Sequence, residues 1–178
     1  MQVVSGVLRG LRLDTPRDNT VRPTLGHVKE AFFNIIQNDI LEANFLDIFS
    51  GTAQIGIEAL SRGANNCVFV DKDIQLTQQN IEKIKQNFIY KLINKDAQQA
   101  LQMLQGICFD FIYIDPPYSF TNIQGLFKNI NDYKLLTENG IVVLEQNIKV
   151  QQINYNGFVV TKTKNYGKTR IVFYAEAK

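Results

Sequence analysis

The stretch Ile112-Tyr113-Ile114-Asp115-Pro116-Pro117-Tyr118 decides the reading of this chain. A largely apolar run over residues 109–114 ends abruptly in an acid, two prolines and an aromatic. Near-continuous apolar runs of this length fit a strand of a parallel sheet that is buried on both faces. Proline stops the strand, and the residue before each proline is pushed into extended geometry, so the backbone at Asp115 and Pro116 is largely fixed in advance. Neither proline has an N–H. The polar groups of the corner are therefore the Asp115 carboxylate and the Pro116 carbonyl, both acceptors. Such a corner suits an –NH2 group, which has two hydrogens to give, while Tyr118 stacks on the ring that carries it. The carboxyl end of a strand is also where open α/β sheets bind ligands. A simple strand-ending turn fits the same residues, and the rest of the chain decides between the two.

With 178 residues, 45% of them hydrophobic, the chain suits one globular unit with a substantial core. A net charge of +2 demands no polyanionic partner, but its distribution is uneven. Residues 1–29 hold Arg9, Arg12, Arg17, Arg22 and Lys29 against only Asp14 and Asp18, a pattern that fits either a solvated face or a nucleic-acid contact. The opening MQVVSGVLRG lacks the apolar core of a signal peptide, and no run approaches a membrane span, so a cytoplasmic protein is expected. Cys67 and Cys108 have no metal-like spacing and read as buried thiols. A single histidine, His27, argues against a histidine-based metal site or a Ser-His-Asp triad.

Residues 1–23 read as an N-terminal hairpin and basic extension, its arms at residues 3–5 and 11–13 around Gly6 and Gly10. Thr24 is a plausible N-cap for a helix running to Asn38. From there strands and helices alternate through a unit expected to span residues 24–178. Strands are predicted at 45–49, 67–71, 91–94, 109–114 and 141–145, with helices at 54–61, 75–87, 97–104 and 123–130 between them. Strands at 158–164 and 170–175 then form a closing hairpin around Tyr166-Gly167. Repeated βα units require right-handed crossovers, hence a mostly parallel sheet covered by helices on both faces.

The strand–turn–helix at Leu46-Asp47-Ile48-Phe49-Ser50-Gly51-Thr52-Ala53-Gln54-Ile55-Gly56 is the nucleotide-side candidate. A phosphate-binding Walker loop needs Lys and Ser or Thr after its last glycine, and Ile57-Glu58 stand there instead. A dinucleotide fingerprint needs a middle glycine for close approach to a pyrophosphate, and Ala53 occupies that place. The alanine is less troubling for a ligand without phosphates, such as S-adenosylmethionine. Asp71, twenty residues after Gly51, can accept from ribose hydroxyls, and Asp96 from an adenine amine. Asp47 can meet the amino group of a methionine moiety. Asp47, Asp71, Asp96 and Asp115 thus fall at the carboxyl ends of the first four strands, one rim of the sheet, although each taken alone also fits a helix cap or a surface charge.

At this point the chain resembles the RsmD-like 16S ribosomal RNA guanine-N2 methyltransferases along essentially its whole length. The resemblance is carried by Ser5-Gly6, Arg9-Gly10, Val21-Arg22-Pro23-Thr24, Glu30-Ala31-Phe32-Phe33-Asn34, Leu46 to Gly51, Glu58-Ala59-Leu60-Ser61-Arg62-Gly63-Ala64, Asp115-Pro116-Pro117-Tyr118 and Tyr166-Gly167. It implies a Rossmann-like α/β methyltransferase fold with a seven-stranded, mostly parallel sheet and an antiparallel strand inserted near one edge. It also implies S-adenosylmethionine as donor, held by Asp47, Phe49, Gly51, Thr52, Gly56, Asp71, Asp96 and Asp115. The acceptor implied is the exocyclic N2 of a guanine in 16S rRNA of the small subunit or its assembly particle, with Asp115, Pro116, Pro117 and Tyr118 at the reacting amine. Arg9, Arg12 and Arg22 would meet RNA phosphates. No metal is implied, and a monomer is expected. Ala53, His27 and Lys29 depart from the family pattern, which has glycine at the first and arginine at the other two. An N-methyltransferase acting on a protein glutamine amide or DNA adenine, or a non-catalytic RNA-binding module, remains an alternative reading of the same residues.

Overall fold

The computed structural model describes residues 1–16 and 26–177. Its elements run α1 (Gly26–Ile35), β1 (Asn44–Ile48), α2 (Gln54–Ser61), β2 (Asn66–Asp71), α3 (Gln75–Ile81), β3 (Ile89–Asn94), α4 (Ala97–Met103), β4 (Phe109–Ile114), α5 (Ile123–Asp132), β5 (Leu136–Asn147), β6 (Phe158–Tyr166) and β7 (Thr169–Glu176). They build a seven-stranded sheet in the order β3-β2-β1-β4-β5-β7-β6. Strands β1 to β5 pair in parallel, and β7 runs antiparallel between β5 and β6. This is the mostly parallel α/β sheet read from the repeated units. The sheet order reverses between β1 and β4, so their carboxyl ends flank one crevice.

Two apolar layers cover the sheet, as its doubly buried central strands require. One layer joins Phe32, Phe33, Phe45, Phe69, Phe111, Tyr113 and Phe173 beneath α1 and α2, and the other joins Ile48, Ile112, Ile114, Leu126, Phe127 and Tyr174 beneath α4 and α5. Helix α5 shows why its sequence is helical: Leu126, Phe127 and Ile130 share its buried stripe, and the Asn122 side chain caps it by accepting from the Gly125 N–H at 3.1 Å. Helix α2 is buried on every side, because the N-terminal segment lies across the face that α2 turns away from the sheet. Val3, Leu8 and Leu13 of that segment join the first layer.

Several boundaries differ from those read off the sequence. Helix α1 stops at Ile35, where a polar turn closes with the Asp39 N–H on the Ile36 carbonyl. Helix α3 stops at Ile81, because β3 begins at Ile89 and residues 82–88 must carry the chain to the sheet edge. The arms of the N-terminal segment meet through one antiparallel bridge, Gln2 to Arg12, rather than as strands. The proposed Thr24 cap lies outside the described residues. Cys67 is buried, but Cys108 is exposed, since it falls in the turn before β4 and not on the strand. Among the described residues no helix is long and apolar enough to cross a membrane.

The segment is tied down by a buried ion pair. Glu58 on α2, fully inaccessible to solvent, accepts from the Val4 and Ser5 N–H groups at 2.9 Å each, from Lys29 Nζ at 2.8 Å and from Arg62 Nε at 2.9 Å. Lys29 Nζ also donates to the Gln2 carbonyl. Lys29 is therefore a buried structural cation and not a surface contact. Burial alone would raise the Glu58 carboxyl, but its bonds to Lys29, Val4 and Arg62 outweigh this and hold it below its usual range. A lowered acid contributes stability above its unfolded value of 4.5 and loses it as pH falls through the folded value. Glu58→Ala strands the Lys29 charge, so about 3–5 kcal/mol of stability should be lost. Urea unfolding at pH 7 and pH 4 checks this, and the deficit is expected to shrink at the lower pH.

Candidate active site

Side chains alternate across a strand, and the parallel register pairs Asp47 with Tyr113 and Tyr113 with Val143. Two residues further along, Asp115, just past the end of β4, and Glu145, within β5, therefore follow on the same face. That face lies under α1 and α2, at the crevice where the strand order reverses. The Asp115 N–H reaches the Ile48 carbonyl at 3.3 Å, which holds the Asp-Pro-Pro corner against the end of β1. Pro117 closes the turn by accepting from the Phe120 N–H at 2.8 Å. Tyr118 is 76% exposed, its ring open to an incoming partner.

The loop after β1 is held by side chains from β2 and α3. Asp71 accepts from the Gly51 N–H at 2.9 Å on one oxygen and from the Asp73 N–H at 3.0 Å on the other, and each oxygen keeps a second lone pair for a hydroxyl. Thr77 donates to the Gly51 carbonyl at 2.8 Å, and Asn80 to the Thr52 carbonyl at 3.0 Å. Thr52 itself is buried. Ala53 has φ 61°, in the left-handed region that favours glycine, so it carries backbone strain of about 1 kcal/mol. Phe49 is left-handed as well, at φ 65°, and packs edge-on against Phe120 at 5.0 Å. Phe120 was not singled out in the sequence, and its signal was only an aromatic just beyond the proline corner. Gly56 answers to packing: a Cβ there would lie 2.2 Å from the Phe69 ring and 2.6 Å from the Cys67 sulfur.

Asp47 is only 2% exposed and accepts from the Gly56 N–H at 3.0 Å. Burial pushes its carboxyl up to about 7, the Gly56 N–H pulls the other way, and the charges of Asp115 and Asp71 add to the rise. The charges of Asp115 and Asp71 thus both reach Asp47 across the crevice. Asp96 stands apart as the N-cap of α4, accepting from the Gln99 N–H at 3.0 Å. It remains half-buried at the end of β3. Arg9 and Arg12 are exposed, whereas Arg22 lies outside the described residues. Among the described residues no group of His, Cys, Asp and Glu could hold a metal ion.

The donor set fits S-adenosylmethionine. A cationic ammonium group is the partner that relieves a buried carboxylate such as Asp47, and Asp71 has capacity for a ribose diol. The sheet order, the acid-lined crevice and the Asp-Pro-Pro-Tyr corner define the class, an S-adenosylmethionine-dependent methyltransferase with a Rossmann-like fold. Within that class the chain belongs to the RsmD-like family described as "Conserved hypothetical protein 95", whose family model matches residues 1–175. It is 34% identical over 180 residues to YlbH of Bacillus subtilis (strain 168), covering 98% of each chain. It is 26% identical over 152 residues to ribosomal RNA small subunit methyltransferase D of Escherichia coli (strain K12), covering 84% of this chain and 76% of the relative. The solved structure of yhhF from Escherichia coli shares the fold with a TM-score of 0.85 at 24% identity, over 99% of this chain and 97% of that one.

Because the folded Asp47 holds its proton to about 7 while the unfolded chain releases it near 3.8, stability from this group falls as pH rises between those values. The penalty is complete above pH 7. Asp47→Asn keeps an oxygen for the Gly56 N–H and should stabilise the ligand-free protein by about 2–4 kcal/mol at pH 8 and hardly at all at pH 4. Thermal melts at the two pH values check this.

Proposed function

We propose that the protein transfers the methyl group of S-adenosylmethionine to the exocyclic N2 amine of a guanine in 16S ribosomal RNA of the small subunit. The observation that carries the reading is the Asp115-Pro116 acceptor corner, fixed against the end of β1 beside the buried Asp47. The family and its Escherichia coli member, a ribosomal RNA small subunit methyltransferase D, support the class of acceptor.

S-adenosylmethionine, when bound, supplies an electrophilic methyl group. Asp47 would meet its amino group, Asp71 its ribose hydroxyls and Asp96 its adenine amine, using a carboxylate lone pair beyond the one that caps α4. Gly51, Thr52 and Gly56 would shape the loop beneath it, with Phe49 against the ring. A guanine that has left its stack would present its amine to the corner, since N2 is out of reach within a stacked helix. Asp115 and the Pro116 carbonyl would accept the amine's two hydrogens and turn the nitrogen lone pair toward the methyl. Pro117 holds the corner rigid, and Tyr118 stacks on the base. The target nitrogen, once methylated, would carry an extra proton. That proton is then acidic enough to pass to Asp115 or to water, so no strong base is needed. Catalysis is mostly alignment. Arg9, Arg12 and Arg22 would hold phosphates and orient the RNA without reading its sequence. Residues 1–23 are proposed as the RNA-side extension and residues 24–178 as the methyltransferase unit of a cytoplasmic, monomeric enzyme.

Asp115→Ala should lower turnover about 10²–10³-fold, the cost of one preorganised transition-state acceptor, with cofactor affinity nearly intact. Asp71→Ala should do the reverse, weakening S-adenosylmethionine binding by about 1.5–3 kcal/mol. Tyr118→Phe should be close to neutral and Tyr118→Ala severe, because stacking needs the ring and not the hydroxyl. Methyl transfer to small-subunit RNA or its assembly particles, with calorimetry for the cofactor, measures all of these. Wild-type turnover in a folded Asp115→Ala protein would remove the corner from the mechanism.

A further inference from the structure

Glu145 lies on β5 just past its last parallel pair with β4, beside the acceptor corner, and nothing in the reading above uses it. Its position follows from the sheet. Ile114 pairs with Leu144 in parallel register, so Asp115 and Glu145 occupy the next rung, on the face shared with Tyr113 and Val143. Tyr113 is completely buried in the aromatic layer, 4.8 Å from Phe32 between ring centroids. Its hydroxyl donates to Glu145 Oε2 at 2.8 Å. The phenol is raised well above its usual range by burial, then by the charges of Glu145 and Asp115, which sets both carboxylates within electrostatic reach of the one buried hydroxyl.

We propose that Glu145, oriented by the Tyr113 hydroxyl, accepts the N1–H of the target base and thereby selects guanine. This rests on the N2-methylation reading above and adds to it the residue that sets the base specificity. The chemistry follows from the edge of the base. Guanine carries its N1–H donor directly beside the N2 amine, so a base whose amine sits at Asp115 and Pro116 needs an acceptor one ring position away. A carboxylate on the adjacent strand supplies it. Adenine carries a bare acceptor at N1, next to its own amine, and a carboxylate there would repel it. Drawing on N1–H also feeds electron density toward N2, which helps the amine attack. Tyr113 is a positioning residue in this scheme: its ring belongs to the core, and its hydroxyl fixes the rotamer of Glu145.

The alternative role for Glu145 is only to satisfy the buried phenol. Glu145→Gln separates the two, because an amide oxygen still accepts from Tyr113 while the amide N–H2 offers a donor toward the base. The test uses 16S RNA ligated from a synthetic segment whose target position carries guanine or 2-aminopurine. The latter keeps the 2-amine but has an acceptor at N1. The wild-type enzyme should prefer guanine by kcat/KM. Glu145→Gln should lose about 10–100-fold on guanine, the worth of one charge-assisted hydrogen bond, and gain on 2-aminopurine relative to guanine. S-adenosylmethionine affinity should be unchanged. Tyr113→Phe, which keeps the core ring, should narrow the same preference by a smaller factor and serves if the first variant folds poorly. An unchanged guanine to 2-aminopurine ratio in both variants, with guanine still methylated by the wild type, would overturn the role of Glu145 alone. A wild-type enzyme that methylates neither base at N2 would overturn the underlying reading and this inference with it.

Discussion

A parallel sheet whose strand order reverses between β1 and β4 has a crevice where those two strands end, because their connections leave toward opposite sides. Three of the acids singled out in the sequence are arranged along that crevice. Asp47 sits inside it, Asp115 follows β4 out of it, and Asp71 reaches it from the end of β2. The loop between β1 and α2 is bent into it through the left-handed residues Phe49, Gly51 and Ala53. Burial raises the Asp47 carboxyl, the charges of Asp115 and Asp71 add to the rise, and a cationic ligand is the kind that offsets it.

The second constraint is the buried carboxylate of Glu58. It gathers two backbone N–H groups of the N-terminal segment, the ammonium of Lys29 on α1 and the guanidinium of Arg62 on α2. Asn80 adds a separate link, bonding the backbone of Asp14 and the carbonyl of Thr52 at once. The segment that carries Arg9 and Arg12 is thus fastened to the same helix and loop that line the crevice. An RNA held by the segment would be in fixed register with the acceptor corner, which is what a transfer that depends on alignment requires.

The sequence made some of this legible and hid the rest, for identifiable reasons. The alternation of strands and helices came through because each apolar run is buried by its own neighbours, and the corner at Asp115 because proline dictates backbone locally. Ala53 stood out in the sequence only as an alanine in a glycine loop, and its left-handed φ shows what that place demands of the backbone. The Glu58 node was illegible, since its partners lie more than fifty residues away along the chain except for Lys29 and Arg62. The same is true of Tyr113 and Glu145, which meet only because β4 and β5 pair in one register. Lys29 read as a possible surface cation because a sequence does not show which face of α1 is covered. Asp96 carried both a cap and a ligand reading, and the cap is the one with a bond to show.

The central claim is that the crevice delivers a methyl group to the N2 of one guanine in small-subunit rRNA. The most direct measurement is mass mapping of modified nucleosides in rRNA from a strain lacking the protein, complemented with the wild-type or the Asp115→Ala chain. The account predicts that one N2-methylguanosine disappears from 16S rRNA, returns with the wild-type chain and stays absent with the variant. An unaltered set of 16S modifications in the deletion strain, or full restoration by Asp115→Ala, would contradict it.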